Sequence, residues 1–370
     1  MRAGVAVSRL DDVREAATDA AGRALREAGL RRAGCLVVAG TVQHLDEAID
    51  LCAALRKTAG ERARIVGGAA SAVMCFSDES EEEPALGVLA LEESPPALPF
   101  QFTPGEPDSL RAAVRGAGEG ALGLVFADPS AALPGLLDAL SREAPSVRFA
   151  GGGVAAEGGI LLDEDLAEAA AVGVLIPGGA RVAVAQSHQA VGKPLLVTRA
   201  EGRLLLELDG KPALEALAAL DDIPGLGDLE GALPFLAVGA APAPGQPFRE
   251  EDFVTLPIVG VHEDQGALAV GGKVAEGTLV SFTLRDGMGA RRTLTRSLSG
   301  LAGGAPSFGV YFDCQSRGTQ LYGVPGLDLS LIEKRLGRFP LLALRTSFEL
   351  GPFGVGVGMH LFTGVLALGS

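Results

Sequence analysis

Arg317 is the side chain of this sequence with the clearest capacity to hold a ligand. A guanidinium presents a planar fork of N–H donors that matches a carboxylate, and this one stands just past a predicted strand end, where sites are commonly built. Cys314 could add a contacting thiol, although a lone cysteine after an apolar strand serves equally well as a small buried residue. Gly67 and Gly68, and the run Gly151, Gly152, Gly153, offer backbone that can approach a ligand closely or pack tightly against the fold. Neither run is a dinucleotide fingerprint, because the G-x-G-x-x-G spacing before a helix is missing. A Walker sequence is absent too. Ser71 is a further candidate contact beside the first glycine step, but neither it nor Ser316 has a sequence-level partner that would make a nucleophile. His44, His188, His262 and His360 fall in separate segments without an H-E-x-x-H array. The pattern points to binding rather than catalysis, so the chain is read as no enzyme.

The bulk properties narrow the partners. Among 370 residues the formal charge is −15, which disfavours nucleic acid, since phosphate backbones are held by clustered Lys and Arg, and also disfavours an anionic membrane surface. No run of about 18 apolar residues is present. Four dispersed cysteines without a C-x-x-C pair, and an N-terminus that reaches Asp11 and Asp12 at once, fit a cytoplasmic protein. Aromatic residues are only 5% while glycines number 52, so small side chains must do much of the packing.

The elements that would position these residues recur. An apolar run at residues 35–40, a helical pattern through Leu45, Ala48, Ile49 and Cys52, a strand within 64–71 that runs into Gly-rich backbone and another at 87–91 form a β-α-β-β order. The order returns at 122–128, with Leu133, Leu136, Leu137 and Leu140, then 148–155 and 173–176. A fainter copy runs from 308–313 through Leu329, Ile332 and Leu336 to 340–344 and 364–368. The predicted fold is therefore α/β with mixed sheets, two-domain and pseudo-symmetric, with repeat units at about 30–91 and 117–176. The N-terminal domain is placed at 1–222, a Pro- and Gly-rich linker at 223–250, and the C-terminal domain at 251–370. Residues 92–109, with five prolines, suit neither a central strand nor a helix interior. The acidic run at 78–83 predicts an exposed mobile loop, because like charges repel.

Four stretches carry a family resemblance. Residues 192–194 (Gly-Lys-Pro), Val197-Thr198 and 207–213 (Glu-Leu-Asp-Gly-Lys-Pro-Ala) resemble the end of a FIST-N domain. Cys314-Gln-Ser-Arg317-Gly318 with Leu321-Tyr-Gly323, then 347–352, then 361–364, are similar to FIST-C signatures. The resemblance implies a paired FIST-N and FIST-C sensory module that binds a small ligand, with amino acids a candidate, and signals to a protein partner. In that setting Gly318 belongs to the ligand loop, and Glu349 could accept a ligand ammonium or instead pair with Arg317 and brace the domain. Where relatives read G-C-S-x-A-G-E, this chain has Gly67-Gly-Ala-Ala-Ser71-Ala-Val73, so a protein-interaction scaffold with a vestigial pocket is the alternative. Some relatives bind haem, for which His188 or His360 would be the ligand; no other cofactor is expected.

Overall fold

A computed structural model describes residues 1–130, 133–220, 229–301 and 303–370, with the backbone alone at 229 and 230. The chain forms two compact bodies. One comprises Met1–Val184, Leu294–Met359 and Thr363–Ser370, and the other Ala185–Thr293 with His360–Phe362.

The first body consists of mixed α/β sheets containing several β-α-β units. Strands Cys35–Gly40 and Arg64–Ala69 run parallel, joined through the helix Ala48–Ala59, and Leu86–Leu91 lies antiparallel on the other side of Cys35–Gly40. The same pairing order holds for Leu122–Ala127, Arg148–Gly153 and Ala171–Ile176, and again for Phe308–Cys314, Leu341–Thr346 and Thr363–Gly369. Their central strands are buried throughout, which is why they read as continuous apolar runs instead of alternating ones. The Pro-rich stretch does hold a strand, Leu98–Phe102, but it sits at a sheet edge with Ala171–Ile176 as neighbour, where Pro99 costs no ladder bond.

Small side chains set the packing distance. Helix Val13–Ala28, capped by the Asp12 carboxylate on the Arg14 and Glu15 amides, buries Ala16, Ala17, Ala20, Ala21 and Ala24 completely. A Cβ at Gly4 would lie 2.2 Å from the Ala24 carbonyl oxygen, so strand and helix backbones touch there. At Gly67 a Cβ would stand 1.8 Å from the Val38 carbonyl oxygen of the parallel neighbour.

The second body is antiparallel, with strands in the order His188–Glu201, Leu279–Arg285, Leu236–Ala240, Val254–His262, Ala267–Val270 and Leu204–Leu208. A hairpin turns at Glu201-Gly202, with Glu201 opposite Leu204 and Gly202 at φ +63°. Residues 223–228 of the expected connection lie outside the described residues. Within the rest, Leu236–Ala240 is a buried strand, and the prolines 242, 244 and 247 follow it. The larger body also gathers segments from both ends of the chain, because Val73–Met74 pairs with Leu341–Thr346, and Glu349–Phe353 with Arg148–Gly153.

The acidic run is not a free loop. Arg9 grips it through the Asp78 carboxylate at 2.9 and 3.0 Å and the Ser80 carbonyl at 2.8 Å, and Asp78 to Glu81 are half-buried. Charge repulsion along the run is offset by cations from elsewhere in the fold. Among the described residues no helix is long and apolar enough to cross a membrane.

Gly67→Ala is expected to lower stability by roughly 3 kcal/mol through overpacking against Val38. Gly135→Ala, where a Cβ meets nothing within 4 Å, should leave stability equal or raise it. Urea midpoints of the two variants against the parent chain check this.

Candidate functional site

Strand Phe308–Cys314 delivers the segment with the most buried charge. After it the chain turns at Arg317, whose amide donates to the Cys314 carbonyl at 2.8 Å, and at Gly318, which has φ +56°. A short helix, Thr319–Tyr322, and helix Leu327–Leu336 follow. Gly318 has no room for a side chain, since a Cβ would lie 1.6 Å from Nη2 of Arg345 and 2.3 Å from Oε1 of Glu81.

Arg317 is wholly buried. Its Nε donates to Oδ2 of Asp328 at 3.0 Å and lies 2.9 Å from Oδ1 of Asp313, while Nη2 donates to Asp328 at 2.8 Å and to the Tyr322 hydroxyl at 2.7 Å. Tyr311 and Tyr322 donate their hydroxyls to Asp328 at 3.0 and 2.8 Å. A buried guanidinium survives only when its charge and donors are matched, and two aspartates do that here. Burial pushes both tyrosine hydroxyls above the usual range, so they remain donors.

Arg345, on the parallel strand beside Cys314, is the second cation. Its Nη1 donates to the Cys314 carbonyl at 3.3 Å and stands 3.5 Å from Oδ2 of Asp313, and its Nη2 donates to Oε1 of Glu81 at 2.7 Å. Its Nε is buried without a hydrogen-bond partner.

Glu349 lies in a different environment. Its Oε1 is 3.0 Å from Oγ1 of Thr346, and its Oε2 accepts from the amide and hydroxyl of Thr363 at 3.2 and 2.7 Å. Complete burial, with the Asp313 charge as a further cause, raises its carboxyl to about 8. Asp313 is raised too, chiefly by burial, with Arg345 and Arg317 opposing. Near neutral pH Glu349 is thus a proton-bearing carboxyl whose O–H can meet Thr346, and Thr346 in turn lies 3.4 Å from the Asp313 carbonyl.

The candidates from sequence are brought together unevenly. Cys314, Arg317 and Gly318 share the turn, with Sγ of Cys314 3.1 Å from Oγ of Ser316. Ser71 reaches the adjoining strand, its amide donating to the Arg345 carbonyl at 3.2 Å. Gly152 pairs with Glu349, and a Cβ there would meet Thr346 at 2.6 Å. Gly67 and Gly68 sit elsewhere, against Val38 and Val154. His188 and His360 lie in the second body, both buried; Nδ1 of His188 is 3.1 Å from Oγ1 of Thr283, its ring packs 5.0 Å from Phe362, and burial lowers its pKa to about 3. Sequence reasoning missed Arg345, Asp328, Tyr311 and Glu81. One signal was present, because Arg345 is the sole charge in the apolar run Leu341–Thr346.

Two outcomes follow. A carboxyl raised on folding favours the folded state fully below its ordinary value near 4.5, and that contribution disappears as pH climbs through about 8. The Glu349 contribution to the urea midpoint should therefore fall with rising pH across this window, and Glu349→Gln, which keeps the shape and hydrogen bonds, should flatten the slope. Arg317→Ala should cost roughly 3–5 kcal/mol, because Asp328 is left buried without its cation and Asp313 keeps only Arg345; equilibrium unfolding measures it.

Comparison with known proteins extends over the whole chain. Residues 32–211 match the model of the FIST N domain and residues 213–352 that of the FIST C domain. The uncharacterized protein Rv0628c of Mycobacterium tuberculosis is 32% identical over 400 residues, covering 100% of this chain and 99% of its own. The uncharacterized protein Mb0898c of Mycobacterium bovis is 32% identical over 401 residues, covering 100% of this chain and 98% of its own. The chain therefore belongs to the FIST family, whose paired FIST-N and FIST-C domains are characteristically non-catalytic modules of sensing and signal transduction.

Proposed function

We propose that this protein senses a small carboxylate-bearing molecule, amino acids among the candidates, at the turn formed by residues 314–323, and passes occupancy to a protein partner in the cytoplasm. The observation that carries the reading is the contrast between two arginines. Arg317 is committed to Asp313, Asp328 and Tyr322 and braces the turn, whereas Arg345 keeps a buried Nε without a hydrogen-bond partner. Buried donors normally have partners, so an unpaired one beside a family signature favours a missing ligand. In this reading Glu349, Cys314, Gly318, Ser71 and Gly152 shape the surroundings, and Gly67 and Gly68 hold the sheet. The threefold recurrence of one strand-pairing order supports an origin by duplication and a pseudo-symmetric build, with FIST-N-like and FIST-C-like domains at 1–222 and 251–370. Four buried cysteines, none of them disulfide-bonded, suit a reducing compartment.

Haem is the second reading, and His188 favours it. The imidazole is held neutral by burial and anchored through Nδ1 on Thr283, and its buried Nε2 has no hydrogen-bond partner, which leaves that nitrogen available to a metal. His188 would hold the iron, and haem, if bound, would supply the sensing of diatomic gases or redox state.

Calorimetry with an amino-acid panel is expected to give at least one hit that weakens about tenfold or more in Arg345→Gln, as a charge-assisted hydrogen bond is worth about 1.5–3 kcal/mol. A panel without hits, or a hit indifferent to Arg345, defeats the first reading. Added haem giving a Soret band that is lost in His188→Ala would establish the second, and a colourless protein would remove it.

A further inference from the structure

Glu81 holds the place where a ligand carboxylate would dock. It comes from the acidic run at 78–83, five carboxylates in six residues, and its Oε1 accepts from both Nη2 of Arg345 at 2.7 Å and the Thr319 amide at 3.2 Å. The grip is one-sided. In a guanidinium Nε–H and the outer Nη–H point the same way and together take both oxygens of a carboxylate. Glu81 uses a single oxygen, and Nε of Arg345 stays unpaired inside a residue that is 5% exposed. A carboxylate free of the chain could span both donors.

The segment is also built to let go. Arg9 holds the Asp78 carboxylate and the Ser80 and Glu82 carbonyls, but the Glu81 side chain between them is 23% exposed, and the Glu82 and Glu83 side chains are exposed. Glu79 faces Gly326 and lies close enough to Glu333 for the two like charges to oppose each other. Releasing Glu81 costs its ion pair with Arg345 and the hydrogen bond from the Thr319 amide, and any movement of Glu79 with it relieves the repulsion from Glu333.

We propose that Glu81 is a tethered competitor on the carboxylate site of Arg345. A small-molecule carboxylate displaces it, docks across Nε and Nη2, and turns the Glu81 side chain out beside the exposed Glu82 and Glu83, loosening the run about its Arg9 anchor, and this presentation is the signal read by a partner. The proposal rests on the reading of the 314–323 turn as the ligand site and goes further in naming the competitor and the moving part.

The test titrates acetate, succinate and L-glutamate into the full chain, into Glu81→Gln, and into Glu82→Gln as a control that removes the same charge from an exposed neighbour. A tether at short range acts as an internal ligand at millimolar effective concentration, so at least one probe should bind Glu81→Gln roughly tenfold tighter than the parent, with Glu82→Gln unchanged. A glutamate-specific protease should cut the 79–83 segment faster in Glu81→Gln, and in the parent only as the probe is added. Equal affinity in parent and Glu81→Gln overturns the tether and leaves the ligand site standing. Equal tightening in both variants overturns it as well, since general charge relief would then suffice. Binding by none of the probes to any variant removes the ligand site together with the tether.

Discussion

Burying the Arg317 guanidinium is the constraint around which the C-terminal signature is arranged. An unmatched charge at that depth costs several kcal/mol, so Asp313 from the strand end and Asp328 from the next helix must both be present, and two tyrosine hydroxyls occupy the remaining acceptor positions. Those partners are spread over residues 311–328. Satisfying them therefore fixes the turn, the short helix and the start of helix Leu327–Leu336 in one arrangement. Gly318 and Gly326 stand where the neighbouring Arg345, Glu81 and Glu79 side chains leave no space for a Cβ.

A second consequence concerns how charge is distributed in so apolar an interior. Asp313 lies between two guanidinium groups, and its field together with desolvation keeps Glu349 protonated next to it. One carboxyl is therefore used as an anion and its neighbour as a neutral hydrogen-bonding group. The threonines at 346 and 363 make this arrangement workable, because a hydroxyl can donate to or accept from either form.

Much of the fold was legible because buried parallel strands and amphipathic helices leave strong, local patterns. The apolar runs at 35–40, 122–128 and 308–313 each hold a central strand, and helices follow them, although Leu45 falls in a short helix of its own and Ile49 is exposed. The strand Leu236–Ala240 was hidden by the prolines that follow it. The site was legible in part. Arg317 stood out by type and position, but its partners lie up to 11 residues away, and the contact of Glu81 with Arg345 spans 264. Such contacts are made by tertiary packing, and a period or motif carries no trace of them. The acidic run was misjudged for the same reason: the repulsion is written in the sequence, while the cations that answer it are distant.

The order in which the chain closes has a bearing on its biogenesis. Strand Thr363–Gly369 lies between Ala180–Gln186 and Phe308–Cys314, and its amides and carbonyls complete the ladder of the latter. It is made after every other strand of that sheet. Until then the Phe308–Cys314 strand, wholly apolar apart from Asp313, has an open flank, and an unpaired strand of that kind is a template for joining other nascent chains. The sheet thus closes only once residues 363–369 are made, which makes the yield of the folded chain in a cell depend on the interval between synthesis of the two strands, and on chaperones that shield the open flank during it.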